Sequence, residues 1–256
     1  MAQVRSKLAY YGAALLALAA AGTLLGTRIL HGSSRDRLRL IVQQQCLPDW
    51  LLHHNPAPCR TVRLVGSDPN APGFAVMPDR KGGAHFLLIP TRAIRGIESP
   101  ELRAPGALNY YAAAWTARDA LADVVGHPVG SNAVGMAVNQ RRARSQDQLH
   151  IHISCLRRSV YDALQASAAQ IGSDWSPLQI AGQRYQAMRI MGTELGAANP
   201  FSLFADRLPG AADAMGDFTL LVAGMQFREG PGFALLAGRS VPGAELLLDS
   251  SCAVAR

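Results

Sequence analysis

Hydrophobic positions along the chain fall into three regimes. The first is one continuous run: residues 8–27, LAYYGAALLALAAAGTLLGT, hold no charged side chain. At about 1.5 Å per residue this run reaches the roughly 30 Å of a bilayer core, so it predicts one N-terminal transmembrane helix, with a cleaved export signal as the rival reading. The second regime is helical spacing. Leu38, Ile41 and Val42 predict a short amphipathic helix, residues 108–125 a longer one stopped by Gly126 and Pro128, and residues 159–172 a third with Ser159 as N-cap and Gly172 as stop. The third regime is compact or alternating. AHFLLIPT at 84–91, NAVGMAVN at 132–139 and QLHIHISCL at 148–156 predict strands, and the C-terminal third predicts short strands between Gly and Pro turns. No repeat or linker divides the chain, so the pattern predicts an anchor over residues 1–30 and one α+β domain over 31–256.

Charge and cysteine usage narrow the setting. A net charge of +7 and a pI near 9.7 favour anionic partners. Zinc-finger spacing, a Walker loop and an RNA-binding aromatic signature are all missing from the sequence, which argues against nucleic acid. Basic residues flank the hydrophobic run on both sides, so they leave its orientation balanced. All four cysteines, Cys46, Cys59, Cys155 and Cys252, lie after that run, and none forms a C-x-x-C pair. An even number beyond an export segment suggests disulfides in an oxidising compartment. Three pairings are open. Cys46–Cys59 is the most local, which would leave Cys155 for Cys252; four free thiols are the alternative. The expected location is the bacterial inner membrane, single-pass, with the domain on the periplasmic side.

The candidate chemistry lies in RSQDQLHIHISCLR, residues 144–157. Side chains two apart share a strand face, so Gln148, His150, His152 and Ser154 line one side and Leu149, Ile151, Ile153 and Cys155 the other. The second face wants a core. The first sets two imidazoles beneath a turn carrying Arg141, Arg142 and Arg144. A neutral imidazole is a nucleophile near neutral pH, and fixed cations stabilise charge on phosphate oxygens. Two other readings compete: a metal site, with His85, His53 or His54 as third ligand, and structural histidines bonded to backbone.

Two stretches together carry a resemblance. HFLLIPTRAIRGI at 85–97 and VNQRRARSQDQLHIHIS at 138–154 resemble the signature strands of the histidine triad superfamily, over roughly residues 75–160. A strand ending in Asn139 leads through a phosphate-binding turn to His150 and His152, which fall on the first and second triad positions. The order CLPDW…NPAPC, LIPTRAIRGIESPEL, LHIHISCLR and Cys252 is similar to that of the bacterial CDP-diacylglycerol pyrophosphatases.

The resemblance implies a HIT-like antiparallel sheet with packed helices, and hydrolysis of CDP-diacylglycerol to CMP and phosphatidate at a membrane. It implies His152 as nucleophile, forming a cytidylyl-histidine, with His150 in support and no metal or other cofactor. Asn139 and Gln146 would contact phosphate oxygens. Arg141 and Arg144 would contact phosphate or headgroup unless they only solvate the turn, and His85 would be structural or part of the pocket wall. Assembly would be a homodimer or two halves in one chain. The chain departs from the triad pattern at Ser154 in the third position, Asp147 in the turn, and Ala93 after the first strand. Met77 and Asp79 stand near the position of the ribose contact. Two further readings stay open: a triad enzyme acting on another nucleotide diphosphate conjugate, and a non-catalytic lipid- or nucleotide-binding protein.

Overall fold

A computed structural model describes residues 33–66, 68 and 70–255. Its strands are β1 (Thr61–Leu64), β2 (Gly73–Pro78), β3 (His85–Pro90), β4 (Val134–Val138), β5 (Ile151–Leu156), β6 (Ser176–Ile180), β7 (Gln183–Met191), β8 (Phe218–Phe227), β9 (Gly230–Arg239) and β10 (Leu248–Asp249). They pair antiparallel in one sheet, ordered β1-β2-β3-β5-β4-β8-β9-β7-β6, with β10 added on β5. The helices are α1 (Arg37–Ile41), α2 (Leu47–His53), α3 (Tyr110–Ala117), α4 (Ala120–Val125), α5 (Arg158–Ala166) and α6 (Pro200–Arg207).

The strand order contains a repeat. Hairpin β2-β3, helices α3 and α4, then β4 and β5 form one unit; hairpin β6-β7, helix α6, then β8 and β9 form another. Each unit has the internal order 1-2-4-3, and the two meet through β4 and β8, so the sheet reads the same from either end once β1 is set aside. The repeat is legible in the topology and not in the residues.

Alternation along the strands sorts side chains to two faces. Ile151, Ile153 and Cys155 of β5, Phe86 and Leu88 of β3, and Val134, Met136 and Val138 of β4 enter a core with Tyr111 and Trp115 of α3 and Phe201 and Phe204 of α6. Tyr111, Phe201 and Phe204 are fully buried, each contributing about 1.5–3 kcal/mol by area. The other face has two separate covers. Val42, in the π-helical stretch Val42–Cys46 that joins α1 to α2, and the Cys46–Cys59 disulfide pack on Val62, Ala75, Leu87 and Ile89. Val160 and Leu164 of α5 pack on Leu221, Leu236 and Tyr185 of the second unit. Between these covers His152 lines a cavity.

Several expectations hold. The run at 84–91 is β3, buried at every position; 132–139 contains β4; 148–156 contains β5. Others are corrected. Residues 108–125 form two helices, broken at Arg118 and Asp119, with Asn109 capping α3 through Ala112 N–H and Gly126 closing α4 in the left-handed region. Helix α5 starts at Arg158, so Ser159 lies inside its first turn and caps nothing. The C-terminal third is less fragmented than expected: β8 and β9 run for 10 residues each, and α6 interrupts the strands. The N-terminal transmembrane helix and the single-pass inner-membrane placement are not upheld: among the described residues no helix is long and apolar enough to cross a membrane, and residues 8–27 lie outside them.

Candidate active site

His152 sits on β5, opposite Leu87 of β3 on one side and Ala137 of β4 on the other. Its Nδ1 lies 3.0 Å from Nε2 of His85, which enters from the first residue of β3. Its Nε2 lies 3.2 Å from Oε2 of Glu245, though without the angles of a hydrogen bond, and has no hydrogen-bond partner among the described residues. A buried polar atom without a partner is costly, and functional nitrogens are a common reason for one. Burial, reinforced by His150 and His85, holds the His152 imidazole well below its ordinary pKa, so the ring is neutral at pH 7.

His150 lies just before β5, and its Nδ1 is 2.7 Å from Gln148 O. A carbonyl accepts, so Nδ1 carries the proton and the Nε2 lone pair is the other end of the ring. Burial lowers its pKa, against the opposing pull of that hydrogen bond. Burial likewise lowers His85, with Asp79 opposing. Three neutral imidazoles in a row, His85–His152–His150, have ring centroids about 5 Å apart (5.1 and 5.0 Å).

The cavity that His150 and His152 line has a volume of about 430 Å³. One part of its wall is apolar: Leu38 and Ile41 of α1, Met77 of β2 and Leu87 of β3. Most of the rest is polar, with Arg37, Arg80, Lys81, Asp79, Asn139, Gln146 and Glu245. Lys81 Nζ is 3.8 Å from Glu245 Oε1. Asp79, His85 and His152 bring ligand atoms within 4.8 Å of one another, a set that could hold a metal ion. Aspartate with two histidines is a chemically suitable donor set for zinc.

The remaining residues singled out in the sequence fall in different places. Asn139 lines the cavity and accepts from Glu245 N–H at 3.3 Å, while Gln146 lines it and clamps α1, its Oε1 accepting from Leu38 N–H and its Nε2 donating to Ser34 O. Ser154 is fully buried and its Oγ donates to Ala84 O at 2.6 Å, away from the cavity lining. Arg144, also buried, pairs with both oxygens of Glu98 at 2.7 Å and with Asp147; Arg141 reaches Glu98 at 3.6 Å from an exposed position. Burial pushes the Glu98 carboxyl up, but the Arg144 hydrogen bonds, a backbone hydrogen bond and the charges of Arg144 and Arg141 together more than offset this and hold it low. Asp147 turns toward Arg35 and Arg144, and the Arg35 hydrogen bonds hold its pKa at about 2. The exposed His53 pairs with Asp49 on α2. Both disulfides, Cys46–Cys59 and Cys155–Cys252, are formed, which suits an oxidising compartment.

Glu245, Arg37, Arg80 and Lys81 were not anticipated. The basic pair could have been found: DRKGG lies one residue before β3, and Gly82 and Gly83 take positive φ to turn the chain there. Glu245 carried no local signal, because it arrives from the turn after β9, far along the chain.

A sequence profile described as CDP-diacylglycerol pyrophosphatase matches residues 33–256. A CDP-diacylglycerol pyrophosphatase of Yersinia pestis is 39% identical over 248 residues, covering 94% of this chain and 92% of the relative. The chain belongs to the CDP-diacylglycerol pyrophosphatase family. It is therefore a member of a family of enzymes, and the matched span takes in every strand, both disulfides and the whole cavity lining.

Proposed function

We propose that the chain hydrolyses the pyrophosphate bond of CDP-diacylglycerol to CMP and phosphatidate, with His152 as nucleophile and a cytidylyl-histidine as intermediate. The observation that carries the mechanism is the unpartnered, buried Nε2 of His152 on the wall of a cavity that also holds three cations. The named activity of the Yersinia pestis relative supports the substrate. His-x-His, with His150 just before β5 and His152 on it, together with the paired-unit sheet, supports the histidine triad assignment.

Attack needs the lone pair on Nε2, hence the proton on Nδ1, where His85 Nε2 accepts it. In that tautomer Nε2 repels the Glu245 carboxylate, so an entering phosphoryl group moves the carboxylate aside as it engages the ring. Lys81, Arg80 and Arg37 would take the charge of the pyrophosphate, with Asn139 and Gln146 at its edge. Phosphatidate leaves as a phosphate monoester and needs little protonation, which accommodates Ser154 in place of a third histidine. The apolar strip of Leu38, Ile41, Met77 and Leu87 suits a pyrimidine ring. A cavity of 430 Å³ has the size of a small-ligand site, so the acyl chains stay outside it, in a bilayer or micelle.

The Asp79–His85–His152 set favours a second reading, metal-assisted hydrolysis. CMP release from CDP-diacylglycerol in detergent micelles with excess EDTA separates the two. Turnover in EDTA, lost by on the order of a thousandfold or more in His152→Ala, is the expected result. Loss of wild-type activity in EDTA with recovery on added zinc favours the metal reading; CMP release by His152→Ala at the wild-type rate rules out the nucleophile.

A further inference from the structure

Water presents a difficulty in the second half-reaction that the first does not have. A neutral imidazole attacks phosphorus without losing a proton, whereas the water that opens a cytidylyl-histidine must give one up. By then both nitrogens of His152 are occupied, Nε2 by phosphorus and Nδ1 by the proton that His85 Nε2 accepts.

Glu245 stands where such a proton could go. Its Oε2 is 3.2 Å from the reacting Nε2, and the side chain is partly open to the cavity. Its backbone is fixed from three sides. Glu245 N–H donates to Asn139 Oδ1, Ala244 N–H donates to Thr219 Oγ1 at 2.7 Å, and Gly243 packs so closely on Asn139 that an added Cβ would lie 2.6 Å from Oδ1. Among the described residues the carboxylate has, besides His152, one ion-pair partner, Lys81 at 3.8 Å, a cation that a bound phosphate would draw away. The backbone is thus pinned while the side chain can swing along the wall.

We propose that Glu245 is a catalytic residue, the base that deprotonates the water hydrolysing the cytidylyl-His152 intermediate. This rests on the reading of His152 as nucleophile. In the first step the Nε2 lone pair forms a bond to the phosphorus bearing cytidine. The anhydride P–O bond breaks, and its electron pair leaves with phosphatidate. The phosphoryl group displaces the Glu245 carboxylate from Nε2. In the second step water enters the space phosphatidate has left, and Glu245 takes its proton as the O–P bond forms. The N–P bond breaks and its electron pair returns to Nε2. CMP and neutral His152 result, and Glu245 releases the proton to solvent.

The test is pre-steady-state product analysis of Glu245→Gln, with phosphatidate and CMP measured separately. The expected result is a phosphatidate burst approaching one per chain, CMP release slowed between about a hundredfold and ten thousandfold, and a cytidylyl adduct on His152 by mass spectrometry under alkaline quench. Added formate should restore CMP release to Glu245→Ala without changing its burst. If both products fall in proportion with no burst, or neither changes, the proposal is overturned. If His152→Ala still releases CMP and no adduct forms in any variant, the nucleophile reading fails first and takes this proposal with it.

Discussion

At the residue scale the site is a set of groups whose burial decides their protonation. His152 is held neutral by desolvation and by two imidazole neighbours, so the neutral form that the proposed attack needs persists on the acid side of the ordinary histidine pKa of about 6.5. The acid limb of kcat/KM is therefore expected below pH 6.5; an acid limb centred at or above that value would contradict it. The same depression affects stability. The unfolded chain binds a proton to this ring below about pH 6.5 and the folded chain does not, so stability from His152 is full above that pH and is lost as pH falls below it. The two turn arginines separate by burial as well. Arg144→Ala leaves Glu98 half-buried and without its bidentate partner, and about 3 kcal/mol or more of stability is expected to go. Arg141→Ala, on an exposed side chain 3.6 Å from the same carboxylate, is expected to stay within about 0.5 kcal/mol in denaturant melts. Sequence spacing placed both on one basic rim, and only the partners tell them apart.

At the element scale the cavity depends on α1, which supplies Leu38 and Ile41 to the apolar strip. This short helix is fastened to the turn before β5 by Gln146 and by Arg35, whose guanidinium pairs with Asp147 at 2.8 Å. Arg35→Ala loosens the clamp without touching the reacting groups. A severalfold rise in KM with kcat held within about twofold is expected from steady-state assays; an equal fall in kcat would show that the turn, not the wall, had moved. Much at this scale was legible beforehand. β3 and β5 were readable because a compact apolar run and a His-φ-His alternation each have one natural face assignment. Helix α6 was missed although Asn199 and Pro200 open it as N-cap and first-turn proline, with Phe201 and Phe204 three apart. The surrounding Gly and Pro punctuation outweighed so short a pattern. β8 and β9 are covered on both faces, so they show continuous hydrophobicity in place of the alternation that marks a half-exposed strand. Glu245 illustrates the general limit: a contact made by a turn after β9 leaves no trace in the spacing around His152.

At the scale of the whole molecule, two staples and one seam hold the site together. Cys155–Cys252 closes a sequence separation of 97 residues and ties the back of the histidine strand to the C-terminus; Cys46–Cys59 closes 13. In the chain-entropy picture the first contributes about 4–5 kcal/mol and the second about 3. Dithiothreitol is expected to lower the unfolding midpoint markedly, and Cys252→Ser more than Cys59→Ser. Equal effects would argue that strain or residual structure, not loop closure, sets the balance.

The seam where β4 meets β8 has a further consequence, one of counting. Two equivalent units in one sheet could have offered two equivalent sites. Instead β5 brings His152 to a cavity, while β9 brings Ala234 and Leu236 under the apolar side of α5. The second unit gives its corresponding face to packing, and its trailing turn, with Glu245, to the wall of the first unit's cavity. Among the described residues the two units thus share one histidine-lined cavity, and both are needed to build its wall.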